Sequence, residues 1–192
     1  MEYSGTLLHK KILELSEMST HVLVKLLFIA KHREVDKGEI ILRRGQICRS
    51  VFFIEKGILR VFVNKDDLEF NTDFIFEGNF ATNLKSLTSE TASDATIIAE
   101  EETAVYEFNK SQLLALYKES PEIESFGRKL LEQLLIAQEE HTNLFKIYSP
   151  AQRYRYIVKH KPELLQRISL SKLSSYLGVA RETLSRIRRG KS

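Results

Sequence analysis

The segment LSKLSSYLGVARETLSRIRRG, Leu170 to Gly190, constrains the chain more than any other stretch, because it meets several independent requirements of two short helices joined by a tight turn. Leu173 and Leu177 are spaced to bury one face of a first helix, and Ser174 is small where two helices must approach. Gly178 stands where a left-handed residue would end that helix, with apolar Val179 next to plug the turn. Ser169 can cap the helix start, whereas Ala180, at the N-cap of the second helix, forgoes about 0.5–2 kcal/mol relative to Ser or Thr. Leu184 and Ile187 give the second helix an inward face. Arg181, Glu182, Ser185 and Arg186 then project outward, and Arg188 and Arg189 continue the basic series. Arginine can hold guanine O6 and N7 through two hydrogen bonds, and glutamate can accept from cytosine N4. The pattern predicts a helix-turn-helix whose second helix meets base edges in double-stranded DNA.

Charge distribution agrees. The formal net charge of the 192 residues is only +3, but residues 149–192 hold eleven Lys and Arg against two acids, Glu163 and Glu182, a net of +9. The preceding 148 residues hold 18 basic and 24 acidic side chains, a net of −6. A basic module after an acidic body suits a polyanion, because each cation near a phosphate releases condensed counterions.

Upstream, the periodicity changes twice. Residues 7–31 place Leu8, Ile12, Leu15, Val22, Leu23, Leu26, Leu27 and Ile29 at helical spacing, broken near Ser19 and Thr20. From Arg33 to about Asn109 the runs EIILRRG, SVFFIEKG, ILRVFVN, EFNTDFIFEG, TIIAEE and TAVYEFN read as strands separated by turn residues, among them Gly38, Gly45, Gly57 and Gly78. That spacing implies an antiparallel barrel or sandwich. Helical periodicity returns in QLLALYKESP and runs without internal proline from Pro121 to Tyr148, followed by a helix ending near Pro162. The long stretch carries a 3-4 seam through Ile123, Leu130, Leu134, Ala137, His141 and Leu144, suited to a parallel homodimer; Leu131, Leu135 and Ile136 lie off it and could cover the barrel. Expected domains are residues 1–120 for the barrel, 121–148 for a dimerisation helix and 149–192 for the DNA-binding unit.

RETLSR, residues 181–186, resembles the recognition helix of the Crp/Fnr superfamily of bacterial regulators, and VDKGEIILRRGQICRSVFFIEKGILRVFV resembles that family's barrel, with Gly45 and Gly57 at its turns. The resemblance covers nearly the whole chain. It implies an α+β fold: an N-terminal cyclic-nucleotide-binding-type jelly-roll barrel, a long dimerisation helix and a C-terminal winged helix-turn-helix. It makes Arg181, Glu182 and Arg186 the base-contacting residues. In members that bind cyclic AMP, a Gly-Glu pair holds the ribose and an Arg-Ser-Ala run neutralises the phosphate. The corresponding stretches here are read as Gly78-Asn79 and Ser93-Asp94-Ala95, and the purine position on the long helix falls near Gln138 and Glu139. An anion beside Asp94 would be repelled unless a cation reached it, so cyclic AMP is not the expected effector. No cofactor is required, though another small molecule could occupy the barrel, and a pure ligand-reception role is the alternative reading. RNA polymerase is a further candidate partner.

Other classes find no support in the residues. The single cysteine, Cys48, cannot form an internal disulfide, and the five histidines show no metal-ligand spacing, so neither a metal site nor an enzyme is expected. No apolar run is long enough for a membrane span and no signal peptide is evident, which predicts a cytoplasmic protein.

Overall fold

The computed structural model describes residues 5–66 and 68–190. Eight strands form two four-stranded sheets: β1 (Lys31–Val35), β8 (Thr103–Asn109), β3 (Ser50–Lys56) and β6 (Phe80–Ala81) in one, β2 (Ile40–Leu42), β7 (Thr96–Ala99), β4 (Leu59–Lys65) and β5 (Leu68–Ile75) in the other, each in that spatial order. Strands adjacent in sequence thus alternate between sheets, except β4 and β5, which are neighbours in one sheet, the jelly-roll arrangement. Register in the first sheet is carried by β8, which pairs Val35 with Thr103 on one side and Val51 with Phe108 on the other. The helices are α1 (Leu7–Leu15), α2 (Thr20–Phe28), α3 (Leu84–Ser89), α4 (Lys110–Glu119), α5 (Pro121–Ile147), α6 (Pro150–His160), α7 (Pro162–Arg167), α8 (Leu170–Leu177) and α9 (Arg181–Arg188).

The chain divides into two compact units, residues 1–61 with 74–133 and residues 62–73 with 134–192. This division differs from boundaries at 120 and 148. A 27-residue helix such as α5 is roughly 40 Å long, more than one small unit covers, and it is shared between the two. The outer half of the β4–β5 hairpin groups with the C-terminal helices.

In the first unit, α1 is anchored by charge as well as apolar burial. The free amides of Leu7 and Leu8 donate to the Glu55 carboxylate of β3 at 2.7 and 3.0 Å, an anion on a helix N-terminus. Leu8, Ile12 and Leu15 complete that contact as the buried face of the helix. Glu122 performs the same service for α2, accepting from the Ser19 amide at 2.6 Å and its hydroxyl at 3.1 Å. Phe53, Phe80 and Phe126 stack edge to face, at 4.9 and 6.2 Å between centroids, joining β3, β6 and α5. Arg60 and Glu100 form a buried ion pair at 3.2 Å.

The seam read along α5 is corrected at Ile123 and Leu144, which are buried within the chain. Ile123 is 0% exposed, Leu130 packs against the barrel core, and Leu144 is 4% exposed in the second unit, so these side chains are spent within their own chain. His141 is half-buried beside Phe145 and Tyr176, and Leu134 is half-buried as well; of the six, only Ala137 is exposed. Apolar surface instead lies open at Leu131 (45%), Leu135 (64%) and Ile136 (57%). A heptad stripe shows that a face must be covered but not by what, and here the chain covers its own stripe first. Among the described residues no helix is long and apolar enough to cross a membrane.

Three elements escaped the sequence. β1, KHREV, is a polar edge strand; β6 has two residues; α3 has six, too few for a helical period to register. Pro162, read as a stop, opens α7 at its first turn, where the missing amide costs nothing. No strand follows α9 among the described residues, so no wing is seen there.

At Gly57, φ is +94° and an added Cβ would lie 2.7 Å from the Glu102 carbonyl oxygen and Thr103 Cα. Gly57→Ala should lower stability by more than about 1–3 kcal/mol, the range for backbone strain alone, because overlap with backbone adds to it. Urea denaturation checks this, and an unchanged midpoint would contradict it.

Candidate nucleic-acid interface

Within the second unit, α8 ends where Gly178 takes φ +66°, and the amides of Gly178 and Val179 return to the carbonyls of Ser175 and Ser174. Ser169 caps its start, accepting from the Lys172 amide at 3.3 Å. Ser174 is buried and its hydroxyl turns back to the Ser171 carbonyl at 2.8 Å, leaving a smooth surface for the neighbouring helix. Ala180 provides no side-chain cap for α9. Leu184 is fully buried, and Ile157, Leu164, Ile168, Leu173, Tyr176 and Leu177 share this unit's core. The inward faces read from the sequence are therefore the observed ones.

The opposite face of α9 is open. Arg181, Glu182, Arg186, Arg188 and Arg189 are exposed and Ser185 is half-buried. Arg186 makes one long bond, Nη2 to Thr183 Oγ1 at 3.4 Å, and none of these arginines pairs with a carboxylate among the described residues. Four guanidinium groups, three on α9 and one at its C-cap, none paired with a carboxylate among the described residues, form a surface suited to phosphate oxygens and to guanine edges.

Two contacts hold this unit together that the sequence did not disclose. Arg153 of α6 donates from Nε to the Tyr148 carbonyl at 3.0 Å and from Nη1 to the Leu177 carbonyl at 2.6 Å, with its guanidinium 5.0 Å from the centre of the Phe145 ring. On the other side of α8, Ser175 Oγ accepts from the Asn71 amide at 3.1 Å and donates to the Glu69 carbonyl at 3.1 Å, while Asn71 Nδ2 donates to the Lys172 carbonyl at 3.0 Å. The edge of β5 is thereby satisfied by a helix side chain instead of another strand.

In the first unit the expected effector residues fall into two sets with different hydrogen-bond partners. Ser93 and Asp94 meet at Asn83, whose Nδ2 donates to Ser93 Oγ at 2.9 Å and to Asp94 Oδ1 at 3.2 Å, while its Oδ1 accepts from the Ser86 amide at 3.0 Å and caps α3. Ser93 Oγ also donates to the Ala95 carbonyl at 2.7 Å, and Ser86 Oγ accepts from the Cys48 amide at 2.8 Å. Lys85 Nζ stands 3.9 Å from Asp94, both exposed. Gly78 and Asn79 lie in a turn instead, where Asn79 Nδ2 donates to the carbonyls of Phe76 and Glu77 at 3.3 and 3.1 Å. Gln138 belongs to the second unit and reaches Thr142 at 3.5 Å. Asn83 went unread because the cap of a six-residue helix leaves little trace in periodicity. An open cavity of about 400 Å³ lies between β2, β3 and β8, with Leu42, Cys48, Phe52 and Glu107 on its walls; Ser50 donates to Glu107 there at 2.6 Å. Among the described residues no group of His, Cys, Asp and Glu could hold a metal ion.

Residues 32–120 match the cyclic nucleotide-binding domain family. Solved structures extend the likeness along the chain. The catabolite activator protein of Thermus thermophilus is 20% identical, with 94% of this chain and 85% of that one covered at a TM-score of 0.58. FixK2 from Bradyrhizobium japonicum is 19% identical over 84% of each chain, TM-score 0.68. A CooA mutant from Carboxydothermus hydrogenoformans is 19% identical over 97% of this chain and 84% of that one, TM-score 0.69. The chain has the fold of the Crp/Fnr regulators. No curated protein sequence matches it. In the chain described here Asn83, Ser93 and Asp94 form a cluster whose polar atoms bond to one another and present a carboxylate.

His141 provides a titration test of the second unit. Its Nε2 is buried without a hydrogen-bond partner among the described residues. Burial holds its pKa below the usual histidine value, Lys161 adds to the depression, and Asp73 opposes it. The unfolded chain therefore takes up this proton first as pH falls. The contribution is complete above about pH 6.5 and is lost on acidification through that value toward the lowered folded-state pKa. The urea midpoint of the wild type should fall between pH 7.5 and 5 more steeply than that of His141→Leu; parallel curves would remove the idea.

Proposed function

We propose that this chain is a homodimeric, sequence-specific DNA-binding regulator of transcription of the Crp/Fnr type. The observation that carries the reading is the outer face of α9, where Arg181, Glu182 and Arg186 stand exposed opposite fully buried Leu184, with no carboxylate paired to either arginine among the described residues. A core that fixes the helix while leaving its guanidinium groups unspent is what base-edge readout requires. Arg188, Arg189 and the exposed cations of α6, Arg155 and Lys159, surround it with positive charge suited to the phosphate backbone. Two-fold pairing would place the two α9 helices in successive major grooves, about 34 Å apart, and make the operator an inverted repeat. Similar solved proteins are described as regulators, which supports this reading over an enzyme. A regulator of this kind acts in the cytoplasm and through RNA polymerase, and these remain part of the proposal.

Cyclic AMP is not the effector in this reading. Asp94 stands where a phosphate would need a cation, the nearby Lys85 Nζ is 3.9 Å from that carboxylate and offsets it, and Asn83 is already committed to Ser93, Asp94 and the start of α3. Selection from random duplex DNA tests both points. Wild type should enrich an inverted repeat equally with and without cyclic AMP, and Arg181→Ala should relax one base pair per half-site by about 1–3 kcal/mol. Equal affinity for all sequences defeats the specific reading, and a repeat that appears only with the nucleotide defeats the second point.

We assign the dimer surface to the exposed stripe of α5, Leu131, Leu135 and Ile136, in place of a seam whose Ile123 and Leu144 the chain buries itself. Leu135→Glu should raise the dimer dissociation constant by more than about tenfold, as expected for a charge in the centre of an apolar contact, with helicity unchanged. Sedimentation equilibrium checks this; a variant as dimeric as wild type would exclude the stripe.

A further inference from the structure

The basic residues of the C-terminal segment all look alike in sequence, as candidates for phosphate. The structure separates Arg153 from its basic neighbours on α6. Arg155 and Lys159 of α6 are exposed and make no ion pair among the described residues. Arg153, on the same helix, is half-buried and turned inward. Its Nε reaches the carbonyl of Tyr148, the residue after the last of α5, and its Nη1 reaches the carbonyl of Leu177, the last residue of α8.

Both acceptors are orphan carbonyls at helix C-termini, where the backbone dipoles concentrate partial negative charge. A planar guanidinium can serve two such acceptors at once, in directions fixed by its own geometry. The Phe145 ring, 5.0 Å from its central carbon, holds the plane in place, and Phe145 is itself packed edge-on to Tyr176 of α8 at 5.9 Å. One side chain therefore joins the end of the long helix to the end of α8, at the residue before the Gly178 turn that launches α9.

We propose that Arg153 is a positioning residue for DNA recognition: it sets the angle at which the α8–α9 pair leaves the long helix, and it does not serve as a phosphate contact. This rests on the DNA-binding reading above. In a symmetric dimer an angular error at each protomer becomes an error in the distance between the two α9 helices. The property that Arg153 controls is accordingly tolerance of half-site spacing.

The test measures full-length protein by fluorescence anisotropy on inverted repeats whose half-site spacing is optimal or changed by one or two base pairs, at several salt concentrations. Arg153→Lys keeps the charge but cannot satisfy both carbonyls, and Phe145→Leu removes the ring beneath the guanidinium without altering charge. Each should bind the optimal site about tenfold more weakly, discriminate less than about twofold between spacings, and keep the wild-type slope of log K against log salt. Arg155→Gln is the contrast: its slope should fall by about one unit with spacing preference intact. A variant weakened only by loss of folded protein would keep its spacing preference, which overturns the proposal. So would an Arg153→Gln variant whose slope drops by about one with spacing preference retained, the behaviour of a phosphate contact. Should Arg153→Lys fail to fold, Phe145→Leu decides alone. A wild type with no preference for an inverted repeat overturns the DNA-binding reading and this inference together, whereas a selective wild type with equally selective variants overturns only the inference.

Discussion

The C-terminal unit depends on how abruptly α8 stops. A helix leaves its last carbonyls without intrahelical partners, and a chain that must turn at once into a second helix has few ways to satisfy them. Here two devices act together. Gly178 adopts the left-handed conformation and returns amides to Ser174 and Ser175, and Arg153 donates to the Leu177 carbonyl from the side. With those acceptors met, Leu184 can drop into the core four residues after the uncapped Ala180, and the outward direction of Arg181 and Arg186 follows from helical geometry alone.

The barrel shows the opposite economy, in which polar groups are used up within the fold. Asn83 caps α3, binds Ser93 and approaches Asp94 with a single amide side chain, while Ser86 and Ser93 spend their hydroxyls on nearby backbone. A polar site prepared for a ligand usually keeps convergent groups free, and this cluster keeps few. The cavity carries Glu107, its carboxylate already accepting from Ser50, and Arg49 as well, so charges of both signs line it.

Much of this was legible in the residues, and what was not has physical causes. Leu173, Ser174, Leu177, Gly178 and Leu184 act locally, within a dozen residues, and their spacing alone disclosed their roles. Gly45, Gly57 and Gly78, read as turn residues, all take positive φ. The long helix was visible in full, but Ile123 and Leu144 looked available for a partner because periodicity carries no information about which surface covers a stripe. Arg153 was indistinguishable from Arg155, since only the fold brings the carbonyls of Tyr148 and Leu177 to one guanidinium. Asn83 and Asn71 were missed for the same reason: their partners are remote in sequence or are backbone atoms.

The clasp between β5 and α8 has a consequence for how the molecule is made. Its bonds join residues 101, 104 and 106 positions apart, so the C-terminal unit includes a piece of chain that leaves the ribosome long before the rest of it. Closing so large a loop is slow relative to helix formation. The hairpin edge must wait, with the amide of Asn71 and the carbonyl of Glu69 open to pairing with other chains, until α8 emerges. Fragments that begin at the long helix lack this strand altogether, and in them Ser175 and the Lys172 carbonyl lose their partners from β5. The order of synthesis thus sets a window in which an unfinished chain is most vulnerable to aggregation, and α8 is the element that closes it.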